Sequence, residues 1–378
     1  MKIVQVITRM DTIGGAQIHV RDICIGLKKS GHSISVVMGG DEGFYKEFER
    51  NEIEEIKSKY LIRHLNLITD IKAFIEIRNI IKRIQPDLIA THSSKAGIIG
   101  RIIGWSLRIP TIFTAHGWSF TEGVTRKKKR IYLLIEKWVG YISDGVITVS
   151  EYDKQLALKY KVLPPEKIIT IHNGVHETNR LKEVGYRSDE ITLIMVARFA
   201  PPKKQLDLLK ALSKLQEYKW KMLFVGDGIS RKEAEKYVEK EEMSERVQFL
   251  GNRNDVEVIL RNSHIFILLS DWEGLPLSIL EAMRSGLPII ASDVGGVKEA
   301  VVQSVNGYLV ARDDERGLIS KLTLLLTSSS LRTEMGNRSR ELYQDHFKFE
   351  RMYEKTLIFY EKIYEGGNTK YLAKEETK

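Results

Sequence analysis

The sequence predicts an α/β protein of two domains, each with a doubly wound parallel β-sheet. Short apolar runs, typical of buried parallel strands, alternate with segments whose apolar residues recur at helical spacing. Several of these runs end in Gly-containing loops, and open α/β sheets bind ligands at the carboxyl ends of their strands. The length of 378 residues suggests two domains rather than one.

In the first half of the chain, predicted strands alternate with predicted helices. The strands are residues 2–7, 31–37, 86–92, 111–115, 144–149 and 167–171, and the helices are residues 17–30, 70–84, 96–107 and 151–160. Residues 41–60 are charged and are predicted to be helical or irregular. The turn at Asn173-Gly174, which precedes a charged linker at 177–190, marks the predicted domain boundary.

The second half shows the same alternation. The predicted strands are residues 191–196, 221–225, 247–250, 265–269 and 287–291, and the predicted helices are residues 206–215, 277–284 and 349–364, with two more that start near Leu318 and Leu331. Asn306-Gly307 is typical of a hairpin turn.

Composition and charge limit the protein classes that fit the chain. With 59 Lys and Arg against 50 Asp and Glu, the formal net charge is +9, which favours anionic partners such as nucleotides or anionic membranes. No nucleic-acid-binding motif is evident, so we expect no nucleic acid partner. The single cysteine, Cys24, excludes an internal disulfide and offers no metal cluster. The start is unlike a signal peptide and no apolar run reaches about 18 residues, so we expect a cytoplasmic protein.

Residues 268–300 contain the stretch around which the second domain is organised. Its loop WEGLP leads into a helix, with Glu273 in the loop and Glu281 about one turn inside the helix. The exposed N–H groups of Leu277 and Ser278 can bind anionic oxygens, and carboxylates accept hydrogen bonds from hydroxyls. The pattern predicts a site for a sugar joined to a diphosphate. The alternative is a solvated loop glutamate beside an ordinary helix glutamate.

Two cations follow the strand at 191–196. Arg198 and Lys203 lie between this strand and the next helix, where a pair of positive charges can bind a diphosphate and stabilise it as a leaving group. Lys204 is adjacent, so the two lysines can exchange these roles. Surface charges that merely flank a helix are the alternative.

Three glycines stand in loops that allow a backbone to approach a phosphate or a sugar closely. Gly14 and Gly15 follow the first strand, and Gly226 follows the strand at 221–225. A Gly-Gly pair alone is also compatible with a simple tight turn, and it is not the GxGxxG pattern of a dinucleotide site.

His116 follows the strand at 111–115 directly and is itself followed by a glycine. A histidine at the carboxyl end of a parallel strand is placed to reach a ligand, and a neutral imidazole can hydrogen-bond a sugar hydroxyl. A histidine satisfied in the core is the alternative.

Five consecutive cations precede an apolar and aromatic segment. They are Arg126, Lys127, Lys128, Lys129 and Arg130. Such a run suits the surface of an anionic bilayer, or an acceptor that carries a lipid diphosphate. The equal alternative is a solvated basic face.

Six motifs, in this order along nearly the whole chain, resemble those of the retaining glycosyltransferases of family 4, which have the GT-B fold: GGAQ, AHGW, NGV, ARFAPPK, GDG and EGLPLSILE. The resemblance implies two Rossmann-like domains that face each other across a cleft. It also implies that the C-terminal tail returns to the first domain. We therefore expect an acceptor-side domain of residues 1–174 and about 350–378, and a donor-binding domain of residues 175–349.

The resemblance further implies transfer of a hexose or N-acetylhexosamine from a nucleotide diphosphate sugar, with UDP expected. The implied acceptor is a glycan or a polyprenyl-diphosphate-linked sugar in surface polysaccharide synthesis, which would place the protein at the inner face of the cytoplasmic membrane. Arg198 and Lys203 are expected to bind the diphosphate, Glu273 the donor hexose and Glu281 the ribose. His116 is expected on the acceptor side.

The same resemblance places the Gly14-Gly15 loop across the cleft from the donor phosphates, and Asn252 and Arg253 in the loop that contacts the nucleotide base. We expect no metal or other cofactor, because two cations can replace a metal ion electrostatically. Two other functions fit the same fold: a sugar-nucleotide epimerase without a second substrate, and a sugar-nucleotide-binding subunit without catalytic activity.

Overall fold

A computed structural model of the chain describes residues 1–10, 14–40, 45–62, 64, 66–121, 123–178 and 190–375. The chain forms two compact units: unit 1 is Met1–His172 with Met352–Lys378, and unit 2 is Asn173–Arg351. Most of the predicted linker at 177–190 lies outside the described residues, as do the first residues of the charged segment at 41–60.

Among the described residues of unit 1, seven parallel strands form one sheet in the order β3-β2-β1-β4-β5-β6-β7. The strands are β1 (Lys2–Ile7), β2 (Ser33–Met38), β3 (Glu54–Lys57), β4 (Leu88–His92), β5 (Thr111–Ala115), β6 (Gly145–Thr148) and β7 (Ile168–Thr170). Strands β4, β5 and β6 are buried along their whole length, which explains their continuous apolar or small-residue sequences.

The strand order of unit 1 reverses between β1 and β4. Strand β1 pairs with β2 on one side and with β4 on the other, so that Ile7 lies between Met38 and His92. In an open α/β sheet, such a reversal leaves a crevice at the carboxyl ends of the strands, where ligands bind. His92 ends β4 at this crevice.

Six helices follow the strands of unit 1 within the described ranges. They are α1 (Gly15–Lys29), α2 (Tyr45–Arg50), α3 (Leu67–Ile84), α4 (Ser94–Leu107), α5 (Arg126–Ile142) and α6 (Glu151–Lys159). Helix α3 buries Ala73, Ile77 and Ile81 against the sheet, as its helical periodicity predicts.

A buried ion pair joins α4 to α5. The guanidinium of Arg101 donates to Glu136 at 2.8 Å, and the two side chains are 0% and 1% exposed. Arg101 also donates to the carbonyl of Gly97 and stacks on the ring of Phe113. Because removal of either partner would leave an uncompensated buried charge, the pair fixes α5 on α4.

Among the described residues of unit 2, six parallel strands form a second sheet in the order β10-β9-β8-β11-β12-β13. The strands are β8 (Ile191–Val196), β9 (Trp220–Val225), β10 (Val247–Phe249), β11 (Ile265–Leu268), β12 (Ile289–Ser292) and β13 (Gly307–Val310). Here the strand order reverses between β8 and β11, which creates the corresponding crevice.

The helices of unit 2 alternate with its strands as far as β12, and the last two follow β13 in succession. They are α7 (Gln205–Leu212), α8 (Arg231–Lys240), α9 (Val256–Arg261), α10 (Leu277–Arg284), α11 (Glu315–Thr327) and α12 (Ser329–His346). The last helix, α13 (Phe349–Glu375), begins in unit 2 and continues in unit 1. In unit 1, Tyr353 on α13 donates to the carbonyl of Gly26 at 3.0 Å, which attaches the helix to α1.

Two local predictions differ from the structure. The predicted hairpin at Asn306-Gly307 is wrong, because β13 runs parallel to β12. Asn306 is fully buried instead, where its side chain accepts from the Val302 N–H and donates to the Ala300 carbonyl. Residues 54–57, predicted to be helical or irregular, form the edge strand β3, whose charged residues are typical of an exposed sheet edge.

Candidate functional site

The loops that carry the predicted donor-binding residues meet at the carboxyl edge of the unit 2 sheet. Arg198 follows β8, Gly226 follows β9, Asn252 and Arg253 follow β10, and Glu273 follows β11. Since all six strands are parallel, these loops emerge on one side of the sheet. Helix α10 has the predicted bounds and begins immediately after the Glu273 loop.

Lys203 contacts Glu273 at this edge. The Nζ of Lys203 donates to Oε1 of Glu273, and their side chains are 16% and 12% exposed. The backbone holds this pair in place, because Lys203 forms an antiparallel bridge with Ser270 and the Asp271 N–H donates to the Pro202 carbonyl. The loop after β8 is thus paired with the loop after β11, which brings a cation and a carboxylate together.

Lys204 has a different environment. Its ammonium lies 2.5 Å from Asp313, 3.1 Å from Asp207 and 3.3 Å from Asp271. Burial alone would lower the pKa of Lys204, but hydrogen bonds to these three carboxylates outweigh that effect and raise it above its usual range. The adjacent lysines, which the sequence could not separate, are therefore distinct: Lys203 adjoins Glu273, and Lys204 belongs to an acidic cluster.

Arg198 is exposed and lies just after β8, where its backbone is held by neighbouring residues. The next residue, Phe199, is 1% exposed and anchors the loop in the core. The side chain of the buried Gln205 donates to the Arg198 carbonyl at 2.9 Å. Arg198 therefore lies at the same edge of the sheet as Lys203.

The predicted anion site lies at the start of α10. Pro276 precedes the helix, and the first-turn N–H groups of Leu277 and Ser278 have no acceptors within an α-helix. Leu277 is buried, so only its backbone can serve a ligand, whereas Ser278 is partly exposed. Glu281 lies one turn further along and is also partly exposed.

Three residues outside the predicted set support the Glu273 loop. A Cβ on Gly295 would lie 1.8 Å from the Glu273 carbonyl oxygen, and the Gly296 N–H donates to the Gly274 carbonyl. Asn173, of the NGV motif, is 5% exposed and donates to the Leu275 carbonyl at 2.7 Å. The sequence predicts only a turn at Asn173-Gly174 and does not indicate that Asn173 supports the Glu273 loop.

The other predicted donor-binding residues, which follow β9 and β10, have different environments. Gly226 has φ +126°, and a Cβ there would lie 2.2 Å from the Ala197 carbonyl, so the close approach of the β8 and β9 loops requires glycine. Arg253 forms an exposed ion pair with Asp255 at 2.6 Å. Asn252 is exposed beside it.

In unit 1, His116 lies in a cluster of three histidines. It follows β5, while His92 ends β4 and His19 lies on α1. One ring nitrogen of each residue lies within 4.8 Å of those of the other two. Sequence analysis placed His116 at a strand end but missed His19, since its only signal is a histidine one turn after the Gly14-Gly15 loop.

A hydrogen-bond chain orients His116. His92 Nε2 lies 2.8 Å from Gln5 Oε1, and His92 Nδ1 lies 3.1 Å from His116 Nε2. Burial, followed by the charges of neighbouring histidines, holds the pKa of both His92 and His116 well below the usual range. Neutral His92 donates from Nε2 to Gln5, so its Nδ1 accepts the Nε2–H of His116. Nδ1 of His116 is then an acceptor for a hydroxyl.

Gly14 and Gly15 lie at the start of α1, the helix that also carries His19. Gly14 precedes α1 in extended backbone, and Gly15 is the first residue of the helix. Gln17 on α1 donates to the Arg9 carbonyl at 3.2 Å, which ties the start of the helix to the end of β1. Thr12 and Ile13, which complete the predicted loop, lie outside the described residues.

The basic run lies at the start of α5. Arg126, Lys127, Lys128 and Arg130 are exposed, and the ammonium of Lys129 lies 4.8 Å from the ring centroid of Tyr160. An apolar stripe continues along the helix, formed by Ile131, Leu134, Trp138 and Tyr141, which are 56%, 70%, 55% and 81% exposed. Within the described ranges, no helix is both long enough and apolar enough to span a bilayer.

Two family models match adjoining parts of the chain. The model described as Glycosyltransferase Family 4 matches residues 13–179, and the model described as Glycosyl transferases group 1 matches residues 177–342. Among curated relatives, the Escherichia coli UDP-Gal:alpha-D-GlcNAc-diphosphoundecaprenol alpha-1,3-galactosyltransferase is 32% identical over 69% of this chain and 72% of its own length. The N-acetyl-alpha-D-glucosaminyl L-malate synthase of Bacillus anthracis is 29% identical over 74% of each chain.

Solved structures show the same fold. The glycosyltransferase from Rickettsia africae ESF-5 superposes with a TM-score of 0.78 at 22% identity, over 96% of this chain and 98% of the other. Anabaena HepE in complex with UDP and glucose superposes with a TM-score of 0.81 at 19% identity, over 95% and 99%. The fold is therefore GT-B, with two Rossmann-like domains.

Proposed function

Because this chain belongs to glycosyltransferase family 4, we propose that it transfers a hexose or N-acetylhexosamine from a UDP-sugar to a glycan or lipid-linked acceptor in surface polysaccharide synthesis. The observation that carries this proposal is the contact between Lys203 and Glu273 at the carboxyl edge of the unit 2 sheet. It places a cation suited to a diphosphate beside a carboxylate suited to sugar hydroxyls.

The donor is proposed to bind along this edge. Lys203 and Arg198 bind the diphosphate together with the first-turn N–H groups of α10, where the helix dipole also favours an anion. Glu273 accepts hydrogen bonds from the donor hexose, and Glu281 accepts them from the ribose hydroxyls. The loop that contains Asn252 and Arg253 borders the nucleotide base.

The transfer is proposed to proceed with retention. The bond between the sugar C1 and the β-phosphate oxygen breaks, the acceptor oxygen bonds to C1 on the same face, and the acceptor proton passes to the leaving phosphate. The protein then has to supply orientation and charge stabilisation. Lys203 and Arg198 stabilise the negative charge that grows on the phosphate, so no metal is required for the donor.

His116 is proposed to act on the acceptor side. The hydrogen bonds that run from Gln5 through His92 to His116 leave the His116 Nδ1 as an acceptor. This nitrogen can accept a hydrogen bond from a sugar hydroxyl. Burial keeps the pKa of His116 low, so the neutral imidazole needed for this contact is present at neutral pH.

The acceptor is proposed to be presented by a lipid, with α5 lying on the membrane surface. The name of the Escherichia coli relative contains a diphosphoundecaprenol-linked sugar, which supports a lipid-linked acceptor. At 100° per residue, Lys127 and Arg130 fall on the same side of α5 as the exposed stripe from Ile131 to Tyr141. Apolar and aromatic residues beside cations are typical of a helix bound in the plane of an anionic bilayer.

Calorimetric titration with UDP-, GDP- and ADP-sugars tests the donor proposal. We expect the full chain to bind UDP-sugars, and Glu281→Ala to weaken that binding at least tenfold, because a ribose hydrogen bond to a charged group is lost. Glu334→Ala, which removes an exposed glutamate from α12, is the matched control and should bind as the unaltered chain does. Absence of binding to every sugar nucleotide would exclude the proposed donor site.

A further inference from the structure

We propose that His19, His92 and His116 form a binding site for one divalent transition-metal ion of the Zn²⁺ class. The three residues come from α1, the end of β4 and the residue after β5, so they are distant in sequence and meet only in the folded unit 1. Three imidazoles are a known ligand set for such ions.

The distances are close to those that a metal needs. Imidazole nitrogens at about 2.0–2.1 Å from a tetrahedral ion lie roughly 3.3 Å from one another. His92 Nδ1 and His116 Nε2 are 3.1 Å apart, and all three nitrogens lie within 4.8 Å of each other. Ligation would draw the three nitrogens to this separation.

The hydrogen bond to Gln5 orients the His92 ring as a metal site requires. Histidines that bind metals generally donate the N–H of their other ring nitrogen to an oxygen acceptor, which fixes the tautomer. His92 does this: Nε2 lies 2.8 Å from Gln5 Oε1, which leaves Nδ1 with its lone pair directed at the cluster. Gln5 and His92 are both fully buried.

The chemistry of the ligands selects the class of metal. The set consists of three nitrogen donors without a carboxylate or a thiolate, which suits Zn²⁺, Co²⁺, Ni²⁺ or Cu²⁺ rather than Mg²⁺ or Ca²⁺. His19 and His92 are 6% and 0% exposed, while His116 is partly exposed and gives access from solvent.

A bound ion would change the hydrogen-bonding role of His116. Ligation uses the Nε2 lone pair, so the ring proton must lie on Nδ1, which becomes a donor instead of an acceptor. If His116 accepts a hydroxyl as in the proposed function, Zn²⁺ should inhibit transfer. This consequence rests on the proposed function, whereas metal binding does not.

The test is calorimetric titration of ZnCl₂ into the full, tag-free chain after EDTA treatment and buffer exchange. We expect one ion per chain. His19→Ala should weaken binding at least 100-fold, and Gln5→Met, which removes only the oxygen acceptor, should weaken it about tenfold. His346→Ala, which removes an exposed histidine from α12, should leave it unchanged.

The absorption spectrum of bound Co²⁺ provides a second measurement, since the visible bands of tetrahedral Co²⁺ respond directly to its ligands. Metal-free circular dichroism of each variant verifies that it is folded. The proposal is overturned if the unaltered chain binds no Zn²⁺, or if His19→Ala is folded and binds with unchanged affinity and spectrum. Since sugar substrates are absent throughout, neither result depends on the proposed transfer.

Discussion

Gly295 lies directly against the backbone of Glu273, with no space for a side chain between them. A Cβ on Gly295 would stand 1.8 Å from the Glu273 carbonyl oxygen, and its φ of +55° already favours glycine. The loop after β12 thus supports the loop after β11, so the position of the Glu273 carboxylate depends on a residue 22 positions away.

Gly295→Ala should therefore displace the Glu273 loop and weaken donor binding at least tenfold. Gly286→Ala is the matched control, because Gly286 also has positive φ, at +72°, but a Cβ there meets only the Gly336 carbonyl at 3.7 Å. We expect the control to lower the free energy of unfolding by about 1–2 kcal/mol while binding is retained. Calorimetry with a UDP-sugar and urea unfolding measure the two effects. Equal donor affinity in the two variants would contradict this account.

Lys203→Ala should lower kcat by about 10²–10³, because the variant loses a cation that stabilises the leaving diphosphate. Lys204→Ala should change kcat far less, because Lys204 is held by Asp207, Asp271 and Asp313. Steady-state kinetics of the two variants with one donor and acceptor measure the difference. A larger loss of kcat for Lys204→Ala would show that the roles of the lysines are reversed.

Stability should depend on pH through His264 in unit 2. Its Nδ1 accepts the Thr192 N–H at 2.9 Å, and burial, followed by the charge of Arg332, lowers its pKa to about 4. A histidine whose folded pKa is depressed stabilises the fold above its unfolded pKa, near 6.5, and this contribution is lost as the pH falls from 6.5 towards 4.

His264→Asn keeps an acceptor for the Thr192 N–H but cannot be protonated. From pH 7.5 to pH 5, the unfolding free energy of the variant should fall by about 1 kcal/mol less than that of the unaltered chain. This difference is smaller than the pKa shift alone would give, because the His264 ring is partly exposed to solvent. Urea unfolding at both pH values measures this, with His346→Asn as an exposed control. If His264→Asn shows the same pH dependence as the control, His264 does not contribute.

Replacement of the α5 cations by glutamine should weaken binding to anionic vesicles by about 10³-fold, because each charge near the surface contributes roughly 1 kcal/mol to the binding free energy. The replaced residues are Arg126, Lys127, Lys128, Lys129 and Arg130. Replacement of Leu134 and Trp138 by serine should weaken it independently of salt, since apolar burial is not screened. Vesicle co-sedimentation measures both.

The control for the vesicle experiment replaces Lys232, Lys236 and Lys240, which are exposed on α8 of unit 2. These three substitutions lower the net charge without altering the proposed membrane face. If they weaken vesicle binding as much per charge as the α5 substitutions do, the attraction reflects net charge and α5 has no special role.

Sequence alone determined those features whose signals are local. The apolar runs and the Gly and Pro positions predicted the bounds of α10 and most strands, because buried parallel strands and helix ends have short-range requirements. The wrong hairpin prediction at Asn306-Gly307 also came from a local signal. A Gly after Asn favours a hairpin locally, but the buried hydrogen bonds of Asn306 and the pairing of β13 with β12 decide otherwise.

Only the tertiary structure decided which residues meet. Lys203 and Lys204 are neighbours with the same chemistry, and pairing of the β8 and β11 loops directs one to Glu273 and the other to three aspartates. Likewise, His19, His92 and His116 are separated by 73 and 24 positions, yet strands β1, β4 and β5 are adjacent in the sheet. Local sequence encodes the preferences of each segment, whereas these contacts follow from strand order, which burial of the whole sheet selects.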